Sequence, residues 1–523
     1  MIYIMSIPSV LQSGVSNESQ DLTINTEVLE PNVLNAVQAV FVLPKKGSVL
    51  DSKSALKFRV NWSGYVAGNA TDVGGKLLSG VLGAIQNARL YASGQLISEL
   101  RRAGEKVHLD NQFKSQEYKE QYCDVKHASC SGFNIAEDTA ESGVNGAISS
   151  SDRYDNRAAA VMNTYNKPYF RGIGTNAEKN GLEAFVLLEE LFPMLKDIQL
   201  PVRFLKDEIR IEIDWNQTKE DWLYVARDAG APVADLTLAT IDNCVLFLDY
   251  ITYNNEIDSA LGEQLATTGV QIPFRQTAVI TRTLAGAAGA GEITEDVLLG
   301  QEGRAVMKVW VAKKYANNTT DTITSALGAI AVAENPCYTL QGVCRSDRLR
   351  SEKFNLIVND LLILDRDCEN VHEAYAYFSE AGEAQASTFP MAWEDNTAVA
   401  GGNMTTAVTT DVLFNTSQAA GEDQNILGRN RAADAVACPG KWETGMWGGQ
   451  NWCGFNIGQG YGSGLNPANA LRIGATPIIF RLKRTADGAN VLQKLNSPVQ
   501  IVCFVEYLRL FDLRAGDVSV RDL

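Results

Sequence analysis

The sequence predicts an all-β protein made of two tandem β domains. Three observations support this prediction: short segments alternate apolar and polar residues, helical patterns are few, and three strand-like segments recur in the same order in each half of the chain. At 523 residues the chain is longer than one hydrophobic core usually supports, so at least two units are expected.

The alternation has the period of a β-strand. In the first such segment, Leu56, Phe58 and Val60 share one face, and the lysine and arginine between them share the other. A half-buried antiparallel strand sorts residues in this way, whereas a helix spreads them around its circumference. The clearest segments are ALKFRVNW from Ala55, EIRIEIDW from Glu208 and IIFRLKR from Ile478.

Two segments favour helices. In NEIDSALGEQLATTG, which follows Asn254, Ile257, Leu261 and Leu265 are spaced four residues apart and predict a short helix. LEELFPMLKDIQLP, from Leu188 to Pro201, contains two prolines and predicts a helical turn or an irregular crossover.

One strand occurs nearly twice, as CVLFLDYITYNN from Cys244 and IVCFVEYLRLFD from Ile501. The two copies align with a separation of 257 residues, and each has a tyrosine, Tyr250 or Tyr507, at the same position. Both faces of this strand are mostly apolar, so we expect a central strand whose tyrosine fills the core rather than an active site.

Two further pairs follow the same order in each half. ARLYASGQLISEL from Ala88 and FNLIVNDLLILD from Phe354 both predict a tight hairpin, and ALKFRVNW resembles RAVMKVWV from Arg304. One such match can arise by chance, because apolar strands use few residue types. Three in matching order favour a duplication, with the two domains joined near residues 255–269.

Charge and hydropathy argue against a nucleic-acid-binding, membrane-spanning or secreted protein. A net charge of −16 without a basic run argues against direct nucleic-acid binding, which requires a basic surface. No apolar run is long enough to predict a membrane-spanning helix, and the first residues make a poor secretion signal.

Nine scattered cysteines without a C-x-x-C pair favour reduced, intracellular synthesis. In that setting Cys244 and Cys503 act as small apolar residues.

No catalytic, cofactor-binding or metal-binding residue is predicted. Cys123, His127 and Cys130 form the tightest cluster of potential ligands, but a structural zinc site normally has four. We therefore expect neither a metal nor a cofactor.

A carbohydrate-active β-sandwich enzyme is the main alternative, because such enzymes use two carboxylates. Adjacent residues on a strand point to opposite faces and cannot flank one bond. None of the three histidines lies in a recognisable catalytic motif, and the glycine-rich stretch from Gly458 to Gly464 does not open a helix after a strand. The residues considered are Glu189, Glu190, Glu394 beside Trp393, His108, His127 and His372.

Four segments together resemble the double jelly-roll major capsid proteins of large eukaryotic DNA viruses, virophages and polinton-like viruses. They are LYASGQLISEL, EAFVLLEELFPMLKDIQLPVRFLKDEIRIEIDW, LFLDYITYNNEI and FVEYLRLFDL, and they span residues from about 30 to about 515. The excursion at 385–464 matches no motif of the family.

The resemblance implies two tandem eight-stranded jelly-roll sandwiches with short helices and long loops. The domains expected from it are an N-terminal arm at 1–30, a first jelly roll at 31–256, a linker helix at 257–268, a second jelly roll at 269–515 and a C-terminal tail at 516–523.

The resemblance also implies a function, that of a structural major capsid protein rather than an enzyme. Three chains would form a pseudo-hexagonal capsomer, and capsomers would tile an icosahedral virion shell assembled inside the host cell. Expected partners are two further copies of the chain, neighbouring capsomers, minor capsid and penton proteins, and an internal membrane in some lineages.

The long excursions at about 131–180 and 385–464 would form outward-facing loops. In the second of these, Trp447 and Trp452 are candidate interface anchors, with packing inside the loop as the equal alternative. A viral spike or adhesion protein is a further alternative, which the duplication disfavours.

Overall fold

The fold was obtained as a computed structural model. It describes residues 23–63, 74–114, 118, 169–171, 181–217, 223–225, 237–284, 292–315, 322–325, 328–331, 352–368, 371–382, 452–458, 470–485 and 499–523.

The first half of the chain is a β-sandwich. One sheet has the order β1-β13-β5-β10, with the short β4 paired to β13, and the other has the order β2-β3-β11-β7-β8. These strands are β1 (Thr23–Leu29), β2 (Val33–Leu34), β3 (Gln38–Leu43), β4 (Val49–Leu50), β5 (Ala55–Ser63), β7 (Ile85–Ala92), β8 (Gln95–Arg101), β10 (Gly181–Leu187), β11 (Ile209–Trp215) and β13 (Thr237–Thr252). A small sheet adds β6 (Gly74–Val81), β9 (Tyr169–Arg171) and β12 (Leu223–Val225).

The second half repeats the sandwich. One sheet has the order β14-β24-β16-β21, with β22 on β16 and β25 on β24, and the other has the order β15-β23-β19-β20. The strands are β14 (Val270–Leu284), β15 (Glu292–Gly300), β16 (Ala305–Tyr315), β19 (Glu352–Val358), β20 (Leu361–Leu362), β21 (Trp452–Asn456), β22 (Leu471–Arg472), β23 (Ile478–Thr485), β24 (Val499–Arg514) and β25 (Asp517–Asp522). A separate hairpin joins β17 (Thr322–Ser325) to β18 (Gly328–Ala331).

Both halves have the same topology. If the eight principal strands of each unit are counted along the chain, the sheets read 1-8-3-6 and 2-7-4-5 in both units. This is the eight-stranded jelly roll, and it confirms the predicted all-β fold with two tandem copies.

The three repeated segments fall on equivalent strands. The copies from Cys244 and Ile501 lie on the eighth strands, β13 and β24, and the hairpins are the fourth and fifth strands of each unit. Both hairpin turns, Ser93–Gly94 and Asn359–Asp360, have positive φ at both positions, as predicted for a tight hairpin.

The register of the repeat is also conserved. Leu246, Leu248 and Tyr250 of β13 point into the first core, and their counterparts Cys503, Val505 and Tyr507 of β24 point into the second. The duplication therefore preserves which face of the strand is buried.

Five α-helices connect these strands in the described part of the chain. The predicted helix before the second unit begins two residues earlier than expected, where the Asn254 side chain accepts a hydrogen bond from Ile257 N at 2.9 Å. The proline-rich crossover forms two short helices, as predicted. The helices are α1 (Ala103–Gln112), α2 (Leu188–Leu191), α3 (Met194–Asp197), α4 (Asn255–Thr267) and α5 (Val371–Gly382).

The chain ends differ from the expected arm and tail. Residues 517–522, expected within a tail, form β25 and pair with β24 across a turn at Ala515 and Gly516, both with positive φ. Strand β1 lies within the expected arm but pairs with β13 in the first sheet. The alternation of Val518 and Val520 with polar residues is the sequence signal that could have predicted β25.

Candidate assembly surfaces

The two units meet along two edge strands, β8 of the first unit and β14 of the second. Ser98 Oγ lies 3.2 Å from Gln276 Oε1, and the Gln276 amide donates to the Glu99 carbonyl. Arg509 of β24 reaches the Ile97 carbonyl at 3.5 Å. We call this contact, together with the packing of α1 described below, the internal junction.

Apolar packing continues the junction into the first core. The start of β14 and the end of β24 belong to the same buried cluster as the first sandwich. The residues are Val270, Ile272, Phe274, Phe511 and Leu513. Phe274 and Leu513 have no exposed surface. Part of the second unit is therefore buried in the core of the first sandwich, and the second sandwich also has a separate core of its own.

A second apolar cluster lies where α1 meets the second unit. Leu109 of α1 and the adjoining Phe113 pack with Phe378 of α5 and with Val502 and Phe504 of β24. The rings of Phe113 and Phe378 are 4.6 Å apart. This contact covers the outer face of the second unit's first sheet.

Charged groups at the junction are paired. The Asp197 carboxylate, only 3% exposed, accepts from the Arg275 guanidinium at 2.8 Å and from the Arg275 backbone N–H at 3.2 Å. Burial raises the pKa of Asp197 above its ordinary value, and the Arg275 charge offsets only part of that rise.

Lys106 of α1 is also buried at the junction. Its ammonium contacts the Asp110 carboxylate and lies 4.7 Å from the Trp310 ring centroid. Burial alone would raise the pKa of Asp110, but the Lys106 charge, with Lys196 and Lys114, holds it below its ordinary value. The junction thus contains ion pairs as well as apolar contacts.

Exposed apolar side chains mark two other edges. On β1, Ile24 is 59% exposed and Val28 is 56% exposed; we call these two residues the first outer edge. On β20 and the residue after it, Leu361 is 71% exposed, Leu362 49% and Ile363 37%; we call these three the second outer edge. Contiguous exposed apolar residues commonly mark interaction sites.

The tyrosines predicted to fill the core do so. The Tyr250 hydroxyl donates to the Pro44 carbonyl at 2.8 Å, and Arg304 stacks on the Tyr507 ring with 4.4 Å to its centroid. Burial raises the pKa of both tyrosines. Cys244 and Cys503 are buried free thiols, and burial raises the pKa of Cys244 to about 12.

The described residues weighed for catalysis lie on three helices. Glu189 and Glu190 lie on the short helix α2 rather than on a strand, and the Glu190 carboxylate accepts from Leu187 N at 3.0 Å. His108 lies on α1 and His372 lies on α5.

Other sequence candidates lie outside the described residues: Cys123, His127, Cys130, Trp393, Glu394 and Trp447. Trp452 begins β21. Among the described residues, no group of three potential ligands is arranged to hold a metal, and no helix is long and apolar enough to cross a membrane. Sequence reasoning missed the outer edges, because exposure of an apolar strand residue depends on what packs beside it.

No protein-family model and no curated protein matches the sequence. Solved structures do match the fold over its whole length. A capsid chain of the virus PBCV-1 is 10% identical, with 97% of this chain and 98% of that chain covered and a TM-score of 0.55. A chain from the cryo-EM structure of the Sputnik virophage is 9% identical, with coverages of 100% and 93% and a TM-score of 0.54.

A third similar structure is PBCV-1 VP54, from a crystal structure fitted into a reconstruction of Sputnik. It is 10% identical, with coverages of 97% and 98% and a TM-score of 0.51. The chain therefore has the double jelly-roll fold of viral capsid proteins, as the sequence resemblance predicted.

Proposed function

We propose that this protein is a major capsid protein, the structural subunit of homotrimeric, pseudo-hexagonal capsomers that tile an icosahedral virus shell. The observation that carries the proposal is the repetition of one eight-stranded topology within a single chain. Three such chains present six similar units, which a hexagonal tile requires. The whole-length similarity to the capsid chains of PBCV-1 and Sputnik supports the same assignment.

The burial of second-unit residues in the first core suits this role. Because Phe274, Phe511 and Leu513 of the second unit are buried with the first core, the two sandwiches hold a defined relative position. A tile with a hinge between its halves would fit its neighbours less well.

The positions of the strand ends that flank the long segments also suit the role of a capsid protein. The described strand ends that flank segments 119–168 and 383–451 lie at the end of each unit opposite helix α4. We infer that these segments supply the outward-facing loops. Thr23 pairs with Thr252 just before α4, and Ala515 N donates to the Leu265 carbonyl of α4. We infer that this end of the molecule faces the shell interior, minor capsid proteins and, where present, an internal membrane.

Neither alternative function has support of this kind. A carbohydrate-active enzyme requires two carboxylates facing one bond. Of the carboxylates considered for it, Glu189 and Glu190 are neighbours on α2, where Glu190 accepts from Leu187 N, and Glu394 lies outside the described residues. A spike or adhesion protein would not need two equivalent sandwiches. The net charge of −16 disfavours direct binding of the genome.

Light scattering of the purified protein tests the proposal. We expect a mass of three times the 56.9 kDa protomer and, in negative-stain images, hexagonal particles with threefold symmetry. A monomer over the micromolar range, or particles without threefold symmetry, would contradict the proposal.

A further inference from the structure

The second strand of each unit differs in what lies along its outer side. In the first unit this strand is β3, and β2 runs beside it, with Val33 paired to Val40 and Leu34 to Ala39. In the second unit it is β15, which pairs with β23 alone in the described part of the chain. We call the side of β15 that faces away from β23 the open edge.

The pairing register identifies equivalent residues on β3 and β15. The rows that cross the two sheets are Val42–Arg210–Tyr91 in the first unit and Leu298–Ile479–Ile357 in the second. The sequence repeat aligns Tyr91 with Ile357, so Val42 corresponds to Leu298. Val42 is half-buried, whereas Leu298 is 52% exposed. The residue on the covered strand is therefore more buried than its equivalent on the open one.

The hydrogen bonds to β3 show which of its backbone groups face outward. Asn32 N donates to the Val40 carbonyl at 2.8 Å, and Val42 N donates to Asn32 Oδ1 at 2.8 Å. Asn35 N donates to the Gln38 carbonyl at 3.0 Å. Every second residue of β3 thus turns its backbone polar groups toward the segment that contains β2.

On β15 the equivalent backbone groups belong to Thr294, Asp296 and Leu298, by the same register. The side chains of all three are exposed. Their N–H and C=O groups point away from β23, because alternate residues of an edge strand form the ladder with its one neighbour. A row of backbone donors and acceptors of this kind is a template for another strand.

The outer face of the sheet beside the open edge is apolar at one level. Each of the four strands contributes one residue to this row, and the residues are Leu298, Ile479, Ile357 and Leu362. At the corresponding place in the first unit, the Arg210 guanidinium lies over the Tyr91 ring, with 4.6 Å to its centroid. An apolar side chain on a strand beside β15 would extend the row at Leu298.

The charge of β15 selects among strands that could pair with it. Its sequence, EITEDVLLG, has three acidic residues and no basic one. Two cations on β23 are already paired, Arg481 with Asp296 at 2.8 Å and Lys483 with Asp367 at 2.6 Å. Hydrogen bonds from Arg481 hold the pKa of Asp296 below its ordinary value, so this exposed carboxylate stays charged. Because like charges on paired strands are destabilising, a basic strand fits the open edge and a second β15 does not.

We propose that the open edge of β15 binds an extended, basic segment of a partner protein by β-strand addition, with an apolar residue of that segment beside Leu298. The segment takes the place on β15 that β2 takes on β3. Its backbone pairs with Thr294, Asp296 and Leu298. This site goes beyond the proposed capsid role, because it does not depend on how the chains form a capsomer.

Three labelled peptides, each nine residues long like β15, probe the open edge. They are Thr-Val-Lys-Val-Thr-Val-Lys-Val-Thr, the same sequence with glutamate in place of lysine, and the lysine peptide with N-methyl groups on alternate residues. The third peptide keeps the charge but loses backbone donors. By fluorescence anisotropy with the full chain, we expect the lysine peptide to bind about tenfold more tightly than either of the others.

A proline on β15 tests the strand pairing from the protein side. Thr294→Pro removes an N–H group that faces the open edge, and an edge strand accepts proline where its N–H faces solvent. Thr294→Val keeps the N–H group and is the matched control. We expect Thr294→Pro to weaken binding of the lysine peptide by about tenfold and Thr294→Val to leave it unchanged. Circular dichroism of both variants should match the wild type.

Hydrogen exchange of the wild-type protein locates the peptide without any substitution. Mass spectrometry should show that the lysine peptide slows amide exchange in β15. Protection elsewhere with none in β15, or equal binding of the lysine peptide and its N-methylated form, would overturn the proposal.

Self-pairing is the remaining outcome to separate. A wild-type protein that associates through β15, and loses that association in Thr294→Pro but not in Thr294→Val, would show that a second copy occupies the edge and would contradict a basic partner. The mass of the wild type tests the capsomer separately, since peptide binding to β15 is expected of a monomer and of a trimer alike.

Discussion

Asp197 and Arg275 form a buried ion pair that joins the crossover of the first unit to β14 of the second. The raised pKa of Asp197 means that the folded state binds its proton more tightly than the unfolded state. The contribution of this group to stability is therefore largest below its unfolded pKa and is lost as pH rises through its folded pKa.

Arg275→Met should destabilise the protein at pH 7 by about 3–5 kcal/mol, because it leaves a buried carboxylate without its cation. The loss should shrink at acid pH as Asp197 takes up a proton. Urea unfolding at pH 7 and pH 5 measures both effects.

The matched control is the double variant with Asp197→Asn, which removes the buried charge. It should be more stable than Arg275→Met alone at pH 7, and the pH dependence specific to that variant should disappear. Equal loss at both pH values for the single variant would show that Asp197 is not the titrating group.

Among single elements, helix α4 connects the two sandwiches along the chain. Its N-terminus depends on Asn254, whose side chain accepts a hydrogen bond from Ile257 N. Asn254→Ala should lower the free energy of unfolding by about 1 kcal/mol, whereas Asn254→Asp should retain the cap. Denaturant unfolding compares the two, and an equal loss in both would argue against a capping role.

The packing of α5 on β21 depends on a glycine. A Cβ at Gly454 would lie 3.0 Å from Ala381 Cβ and 3.1 Å from Phe378 Cα, which is closer than side chains normally approach. Gly454→Ala should destabilise the protein by about 1–3 kcal/mol through overpacking.

Adding Ala381→Gly to Gly454→Ala removes the nearest opposing atom. The double variant should recover part of the lost stability in the same urea measurement, although glycine in a helix itself costs about 1 kcal/mol. A double variant whose loss equals the sum of the two single losses would show that the contact does not carry the effect.

For the whole molecule, the burial of second-unit residues in the first core predicts that the first sandwich does not fold independently. A chain of residues 1–268 would lack Phe274, Phe511 and Leu513 and would expose the apolar surface that they cover. We expect this fragment to aggregate or to remain partly unfolded, as judged by gel filtration and near-ultraviolet circular dichroism. The full chain under the same conditions is the control.

A full chain in which Phe511→Ala opens a cavity should be destabilised by about 3–5 kcal/mol. Because Phe511 lies on a strand of the second unit and is buried in the first core, tryptophan fluorescence and far-ultraviolet circular dichroism should report one transition at a shifted midpoint. Two separate transitions, or a soluble and ordered 1–268 fragment, would contradict this dependence of the first sandwich on the second unit.

Local patterns in the sequence predicted much of this fold. Strand periodicity predicted β5, β11 and β23, and leucine spacing predicted α4. These elements are predictable because burial of one face requires apolar residues at the period of the strand or helix. The repeat predicted the duplication, since equivalent strands keep equivalent apolar positions.

What the sequence by itself determined is therefore the strand content, the two copies and the core position of Tyr250 and Tyr507 on β13 and β24. Only the tertiary structure decided which edges meet. Ile97 and Ile363 are the same residue in equivalent positions, yet one is buried and the other is 37% exposed. Their difference comes from contacts between strands far apart in the chain, which no local pattern encodes.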